Sequence, residues 1–305
     1  MHTILGSGGI IATELAKSLI PYNTQIRLVS RQPRKVNETD DTFIADLTQQ
    51  DQVISAVKNS KIVYLTVGLA YNTRVWERDW PIVMNNVINA CKQENAKLVF
   101  FDNVYMYGKV DGWMHENTPM NPCSRKGEVR AKISQQLLDE INHGNITAMI
   151  CRSADFYGPN ASNTFVLPMV FERLKHGKPA SCLVNDQLKH SMTFTPDSGK
   201  AVALLANTES AYNQIWHLPT DRNALTGKQF IEEVARCFSA APKYSVLSKW
   251  MMKAAGLFNP MARESVEMLY QNEFEYLFDS SKFENTFFSP STYREGIEIT
   301  AKSLD

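Results

Sequence analysis

A short strand-like run, His2-Thr3-Ile4-Leu5, passes without a spacer into Gly6-Ser7-Gly8-Gly9-Ile10-Ile11-Ala12. This junction constrains the chain more than any other stretch, because it must turn a strand into a helix within a few residues. Read as G-x-x-G-x-x-A, it gives each small residue a task. Gly6 permits the tight turn, Gly9 lets the backbone approach a pyrophosphate, and Ala12 lets the helix pack closely on the strand. The helix that follows presents unpaired N–H groups and a positive dipole end to phosphate. Gly6, Ser7, Gly8, Gly9, Ile10 and Ile11 are therefore expected to cradle a dinucleotide.

Apolar runs alternate with amphipathic stretches through the first half. Strands are expected at 3–5, 25–29, 62–66, 98–101 and 147–151, with helices near 12–19, 50–57, 81–93 and 127–140. Short, continuously apolar strands suit a parallel sheet covered on both faces. Their alternation with helices predicts an α/β fold, a doubly wound parallel sheet of the Rossmann type. The second half is less regular. It suggests helices at 165–175, 227–238 and 248–257, a late strand at 215–218, and Thr226 as a helix N-cap. The expected division is a dinucleotide-binding domain over 1–159, to which 190–225 returns, and a smaller C-terminal substrate-binding lobe from 160–189 and 226–305.

Charge and cysteine usage exclude several classes. Lys plus Arg and Asp plus Glu both total 32, so no long-range field pulls the chain toward nucleic acid or a membrane. A small-molecule substrate is the expected partner, although a local basic patch is compatible with the balance. The five cysteines are scattered and form no Cys-x-x-Cys pair, which fits a reducing compartment rather than a disulfide framework. His115, His143, His176, His190 and His217 show no H-x-x-x-H spacing, so no metal is expected. The strand at the very start leaves no room for a signal peptide, and no apolar run reaches the roughly 20 residues that span a bilayer. The expectation is a cytoplasmic protein.

The second strand ends at Val29-Ser30-Arg31, with Arg34 and Lys35 close behind. An NAD site usually places a carboxylate here for the ribose 2′-hydroxyl. Ser30 and Arg31 suit a 2′-phosphate instead, so NADP is expected, with NAD the alternative. Asp46, in Ala45-Asp46-Leu47, would accept from the adenine amino group or cap the helix after it, a role for which Thr48 competes.

The order of these elements resembles the extended short-chain dehydrogenase/reductase superfamily, in its NAD-dependent epimerase/dehydratase group. The resemblance covers nearly the whole chain. It rests on the glycine loop, Asp46-Leu47, the Leu65-Thr66-Val67-Gly68 turn, Asn85, Tyr107-Gly108, Glu116-x-Thr118-Pro119-x-x-Pro122, Tyr157-Gly158-Pro159 and the segment around Asp197. It implies cofactor contacts from Asp46, Leu47, Thr66, Val67 and Gly68, and an oxidoreductase or epimerase/dehydratase-like activity on a nucleotide-sugar or carbonyl compound. It also implies a possible homodimer, paired through two helices of the main domain.

The catalytic positions depart from that pattern. The family places a Ser or Thr after the fifth strand and a Tyr-x-x-x-Lys pair on the next helix. Here the first position falls on Asn103, and the pair falls on Lys126 and Arg130; a shifted register would use Glu128 and Lys132. The first register is preferred because Gly127 follows Lys126. Lys126 would then act as the acid, and Arg130 would hold ribose hydroxyls without relaying a proton. Tyr71, Tyr105, Tyr107 and Tyr157 are alternative phenols, with Asp155 a further polar candidate, and Tyr157 completes the expected catalytic set. Trp76 and Trp80 would line a substrate pocket or a helix pair. Two functions stay open: an NAD(P)-dependent enzyme with a non-standard active site, or a catalytically inactive NADP(H)-binding sensor or regulatory protein.

Overall fold

The computed structural model describes residues 1–162 and 164–304. Seven strands form the main sheet: β1 (His2–Leu5), β2 (Ile26–Ser30), β3 (Asp41–Ile44), β4 (Ile62–Leu65), β5 (Lys97–Asp102), β6 (Ala148–Arg152) and β7 (Ile215–His217). All pair in parallel, in the order β7-β6-β5-β4-β1-β2-β3. The helices α1 (Ile10–Leu19), α2 (Gln50–Val57), α3 (Thr73–Glu94), α4 (Arg125–Asn142) and α5 (Thr195–Ala206) belong to the connections between them. Every residue of β1, β4 and β6 is buried, as a doubly covered sheet requires. The strand order reverses between β1 and β4, and this switch point is where the loops of such a sheet diverge to admit a ligand.

Strand β3 and helix α5 were not among the elements expected from the sequence, and two expected helices differ in form. Helix α3 begins at Thr73 rather than near Pro81. The side chain of Asn72 caps it by accepting the Val75 N–H, and Pro81 sits inside, where its ring removes one backbone donor. The helical stretch near 165–175 is a π-helical turn, Leu167–Phe171, followed by the α-helical Glu172–Lys175.

The chain packs as two compact units. The first comprises Met1–Met106, Arg125–Ser153 and Ser198–Leu218; the second comprises Tyr107–Ser124, Ala154–Asp197 and the chain from Pro219 onward. The core of the first includes Leu5, Val29, Leu65, Trp80, Phe100 and Ile133. That of the second includes Tyr157, Phe171, Phe194, Phe230 and Ile297. Residues 107–124, 154–159, 190–197 and 219–225 therefore pack with the second unit, not with the first as expected. The reason is long-range pairing. Asp155–Tyr157 pairs with Met192–Phe194, and Trp113–Met114 with Leu277–Phe278, in two-stranded parallel sheets of their own. Thr226 caps Gly227–Cys237 as expected, in a capping box with Gln229.

Candidate functional site

The glycine loop divides into a structural half and an open half. The N–H groups of Gly6 and Ser7 both donate to the Val29 carbonyl, at 2.9 and 3.0 Å, and lock the loop onto β2. Gly6 has φ +106°, and a Cβ there would lie 2.3 Å from Val67 Cα, so only glycine fits beneath the turn that follows β4. That turn is tied down in the same way, with the Thr66 N–H donating to the Leu5 carbonyl at 2.9 Å. Gly9 is the N-cap of α1 and supplies no side-chain cap, and the first turn of α1 carries no acidic residue. The N–H groups of Ile10 and Ile11 therefore stand at an uncapped helix start. Ser7 Oγ is buried without a hydrogen-bond partner, and a Cβ on Gly8 would meet nothing within 4 Å. An orphaned hydroxyl, an open glycine and a bare helix start fit a pyrophosphate, which would bring acceptor oxygens to all three.

At the next edge of the sheet, β2 and β3 carry Ser30 and Asp46 to neighbouring positions: Ser30 pairs with Ile44, and the Ala45 N–H donates to the Ser30 carbonyl at 3.0 Å. Ser30 Oγ accepts the Gln32 N–H, while Arg31, Arg34 and Lys35 are all exposed. Asp46 Oδ1 accepts from both the N–H and the hydroxyl of Thr48, at 2.9 and 2.8 Å. These two bonds hold its carboxyl below the usual range, with the Arg31 charge adding to them. Asp46 thus shapes its own turn and keeps a carboxylate beside Arg31. The cap of α2 is Gln49, so neither Asp46 nor Thr48 fills that place. The buried Asn86 donates to the Leu47 carbonyl at 3.0 Å, whereas Asn85 is exposed. The signal for Asn86 lay in the helical period, since it stands three residues after Val83 and four before Ala90, both buried.

Helix α4 settles the register of the inward face. Lys126 and Arg130 are buried, whereas Glu128 and Lys132 are exposed. Lys126 Nζ donates to Thr73 Oγ1 at 2.9 Å and lies 4.7 Å from the centroid of the Tyr71 ring. Arg130 Nε donates to Asp102 Oδ1 at 2.7 Å, and Ser134 donates to Asp102 Oδ2 at 2.8 Å. The guanidinium carbon lies 4.3 Å from the Trp80 ring, 5.2 Å from Phe100 and 5.7 Å from Trp76. Trp76 in turn stacks on Tyr105 and meets Tyr71 edge-on. Trp76 and Trp80 are therefore aromatic walls against the buried Arg130 guanidinium, while Tyr71 faces Lys126. Asn103 caps its own turn, its Oδ1 accepting the Tyr105 N–H at 3.1 Å.

Two of the expected site residues are held by neighbours within the fold. Arg130 is bound into the Asp102 ion pair through Nε and one terminal nitrogen. Tyr157 lies in a packed aromatic cluster. Its ring is enclosed by Phe194, Phe230 and Tyr293 in the core of the second unit, and burial pushes its hydroxyl well above the usual range. Asp155 is engaged by His190 Nε2 at 2.9 Å, with the imidazole stacked on Tyr276. Asp102, Ser134 and Thr73 were missed. The one available sign was a carboxylate closing an apolar strand, with Ser134 one helical turn beyond Arg130. Among the described residues, no group of three or more His, Cys, Asp or Glu could hold a metal ion, and no helix is long and apolar enough to cross a membrane.

A sequence profile described as the NAD dependent epimerase/dehydratase family matches residues 2–214. No curated protein sequence matches. Among solved structures, UDP-glucose 4-epimerase of Thermus thermophilus, in complex with NAD, superposes with a TM-score of 0.81 at 17% identity, over 100% of this chain and 99% of that one. The dTDP-glucose 4,6-dehydratase DesIV of Streptomyces venezuelae, with NAD and TYD bound, gives 0.79 at 13% identity, over 100% and 97%. UDP-N-acetylglucosamine 4-epimerase of Bacillus cereus gives 0.78 at 15% identity, over 99% and 95%.

Proposed function

Because the chain belongs to the NAD dependent epimerase/dehydratase family, we propose that it is an NAD(P)-dependent epimerase/dehydratase-like enzyme acting on a nucleotide-sugar or related carbonyl compound. The nicotinamide, when bound, supplies reversible oxidation at a carbinol carbon. Everything else falls to the chain's own residues. Gly8, Gly9, Ile10, Ile11 and Ser7 Oγ hold the pyrophosphate, with Gly6, Thr66, Val67 and Gly68 shaping the turns beneath it. Asp46 and Leu47 flank the adenine, and Arg31 takes the ribose 2′-phosphate, which makes NADP the preferred form.

The observation that carries the chemistry is the position of Lys126 over Tyr71. The family pattern asks for a phenol and an ammonium on one helix face. Here the ammonium stands on α4 and the phenol comes from the loop after β4. Tyr71 holds and moves the proton, and the Lys126 charge over its ring favours the phenolate form. Thr73 fixes the ammonium through the 2.9 Å bond. Asp102 and Ser134 keep Arg130 in place as a rigid cationic wall.

The test is a panel of UDP- and dTDP-sugars with NADP and NAD, on wild type, Tyr71→Phe and Lys126→Met. Turnover that falls by roughly two orders of magnitude in both variants, with dinucleotide affinity kept, supports the assignment. Full activity in Tyr71→Phe removes it. The closed Asp102–Arg130–Ser134 network favours one rival, a dinucleotide-binding sensor without turnover, because it commits a catalytic-helix cation to structure. Tight NADP(H) binding with no turnover on any substrate class selects that rival.

A further inference from the structure

The helical hairpin of Lys249–Ala255 and Pro260–Ser265 exposes apolar side chains far beyond what a surface element needs. Trp250 is 71% exposed, Leu257 77%, Phe258 90% and Met261 60%, and from Lys249 to Met261 only Met252 and Gly256 are buried. The hairpin is nonetheless well formed. Ser248 and Asn259 cap its two helices, and a Cβ on Gly256 would lie 3.0 Å from Arg263 Cα, so the second helix returns closely past the end of the first. Leu257 and Phe258 are held at the apex by this geometry.

Charge adds a second, independent feature. From Val234 to Arg263 the chain has no Asp or Glu, while it carries Arg236, Lys243, Lys249, Lys253 and Arg263. Within the hairpin, Lys249 to Ser265, the cations Lys249, Lys253 and Arg263 stand against a single carboxylate, Glu264. Glu273 engages Lys249, and Glu233 and Glu298 engage Arg236. Lys243, Lys253 and Arg263 are exposed on and beside the hairpin.

We propose that this hairpin docks on an anionic lipid surface, with Leu257, Phe258 and Trp250 entering the headgroup–acyl boundary and the Lys and Arg side chains meeting lipid phosphates. Aliphatic and aromatic residues at an apex flanked by cations are the composition of an interfacial segment, and neither helix is long enough to span. A second copy is the poorer occupant. A two-fold contact would set the same patch against itself and bring like charges together. This attachment is independent of the dinucleotide chemistry.

The experiment is co-sedimentation of the full chain with phosphatidylcholine vesicles, with and without about 30% phosphatidylserine. The variants are Phe258→Asp and Lys253→Glu, both at exposed positions. Wild type is expected to pellet with the anionic vesicles at least about tenfold better than with neutral ones, and release at high salt. Phe258→Asp and Lys253→Glu are each expected to lose most of that binding. Wild type staying in the supernatant with both vesicles overturns the proposal, as does equal pelleting of both variants and wild type. Sedimentation velocity showing a wild-type dimer that Phe258→Asp makes monomeric, without vesicle binding, assigns the patch to a second copy and overturns it as well.

Discussion

Arg130 and Asp102 meet through a 2.7 Å hydrogen bond from Nε to Oδ1, with both side chains shut away from water. The pair ties the middle of α4 to the end of β5, the two elements from which the family pattern draws its catalytic groups. Ser134 and the Asn103 N–H complete the carboxylate's bonding. A buried pair of this kind is worth little over an apolar substitute, but breaking it leaves an uncompensated charge.

Asp102→Ala is therefore expected to lower folding stability by about 3–5 kcal/mol. Asp102→Leu combined with Arg130→Met should recover most of that loss. Urea unfolding at an unchanged m-value reads both. A single-variant loss below about 1 kcal/mol would mean that water reaches the guanidinium.

Gly6 and Gly68 belong to the turns after β1 and β4, yet they should respond differently to alanine. At Gly6 the positive φ and the approach to Val67 forbid a Cβ, whereas at Gly68 a Cβ meets nothing within 4 Å. Gly6→Ala should cost at least about 2 kcal/mol and abolish dinucleotide binding. Gly68→Ala should stay within about 1 kcal/mol of wild type. Thermal melts paired with NADP(H) calorimetry separate the two effects, and equal behaviour of the variants would contradict the assignment of Gly6.

His2 provides a pH dependence. Its Nδ1 lies 2.9 Å from the Tyr64 hydroxyl, and burial, with the N-terminal amine and Lys61 nearby, lowers its pKa from 6.5 to about 4. A depressed folded-state pKa means that the unfolded chain binds the proton first. The stabilisation is present above pH 6.5 and is lost as pH falls from there through 4. After allowance for solvent screening the loss is on the order of 2 kcal/mol. His2→Gln should flatten the profile of unfolding free energy over that window, and an unchanged slope would locate the pH dependence elsewhere.

Tyr157 should behave as a core residue and not as an acid. Tyr157→Phe is expected to leave dinucleotide affinity and turnover unchanged, while Tyr157→Ala opens a cavity and costs about 3–5 kcal/mol. Loss of turnover in Tyr157→Phe with stability intact would restore it to the catalytic set.

What the sequence determined by itself was local. The strand running into Gly6 and Gly9, the apolar period of the strands and helices, and the G-x-x-G-x-x-A spacing are short-range properties, and the doubly wound parallel class followed from them, whereas the mostly exposed edge strand Asp41–Ile44 carried no apolar run to announce it. The inward register of Lys126 and Arg130 was legible too, because helix periodicity and a neighbouring glycine are both local. Other features depend on partners distant in the chain, and only the tertiary structure decided them. Arg130 is spoken for by Asp102, 28 residues away, and Lys126 by Thr73, 53 residues away. Asp155–Tyr157 left the main sheet for Met192–Phe194, which put Tyr157 in the core of the second unit. Side-chain chemistry announces what a residue can do, but burial and pairing energies, set by contacts across long loops, select which of those capacities remains available.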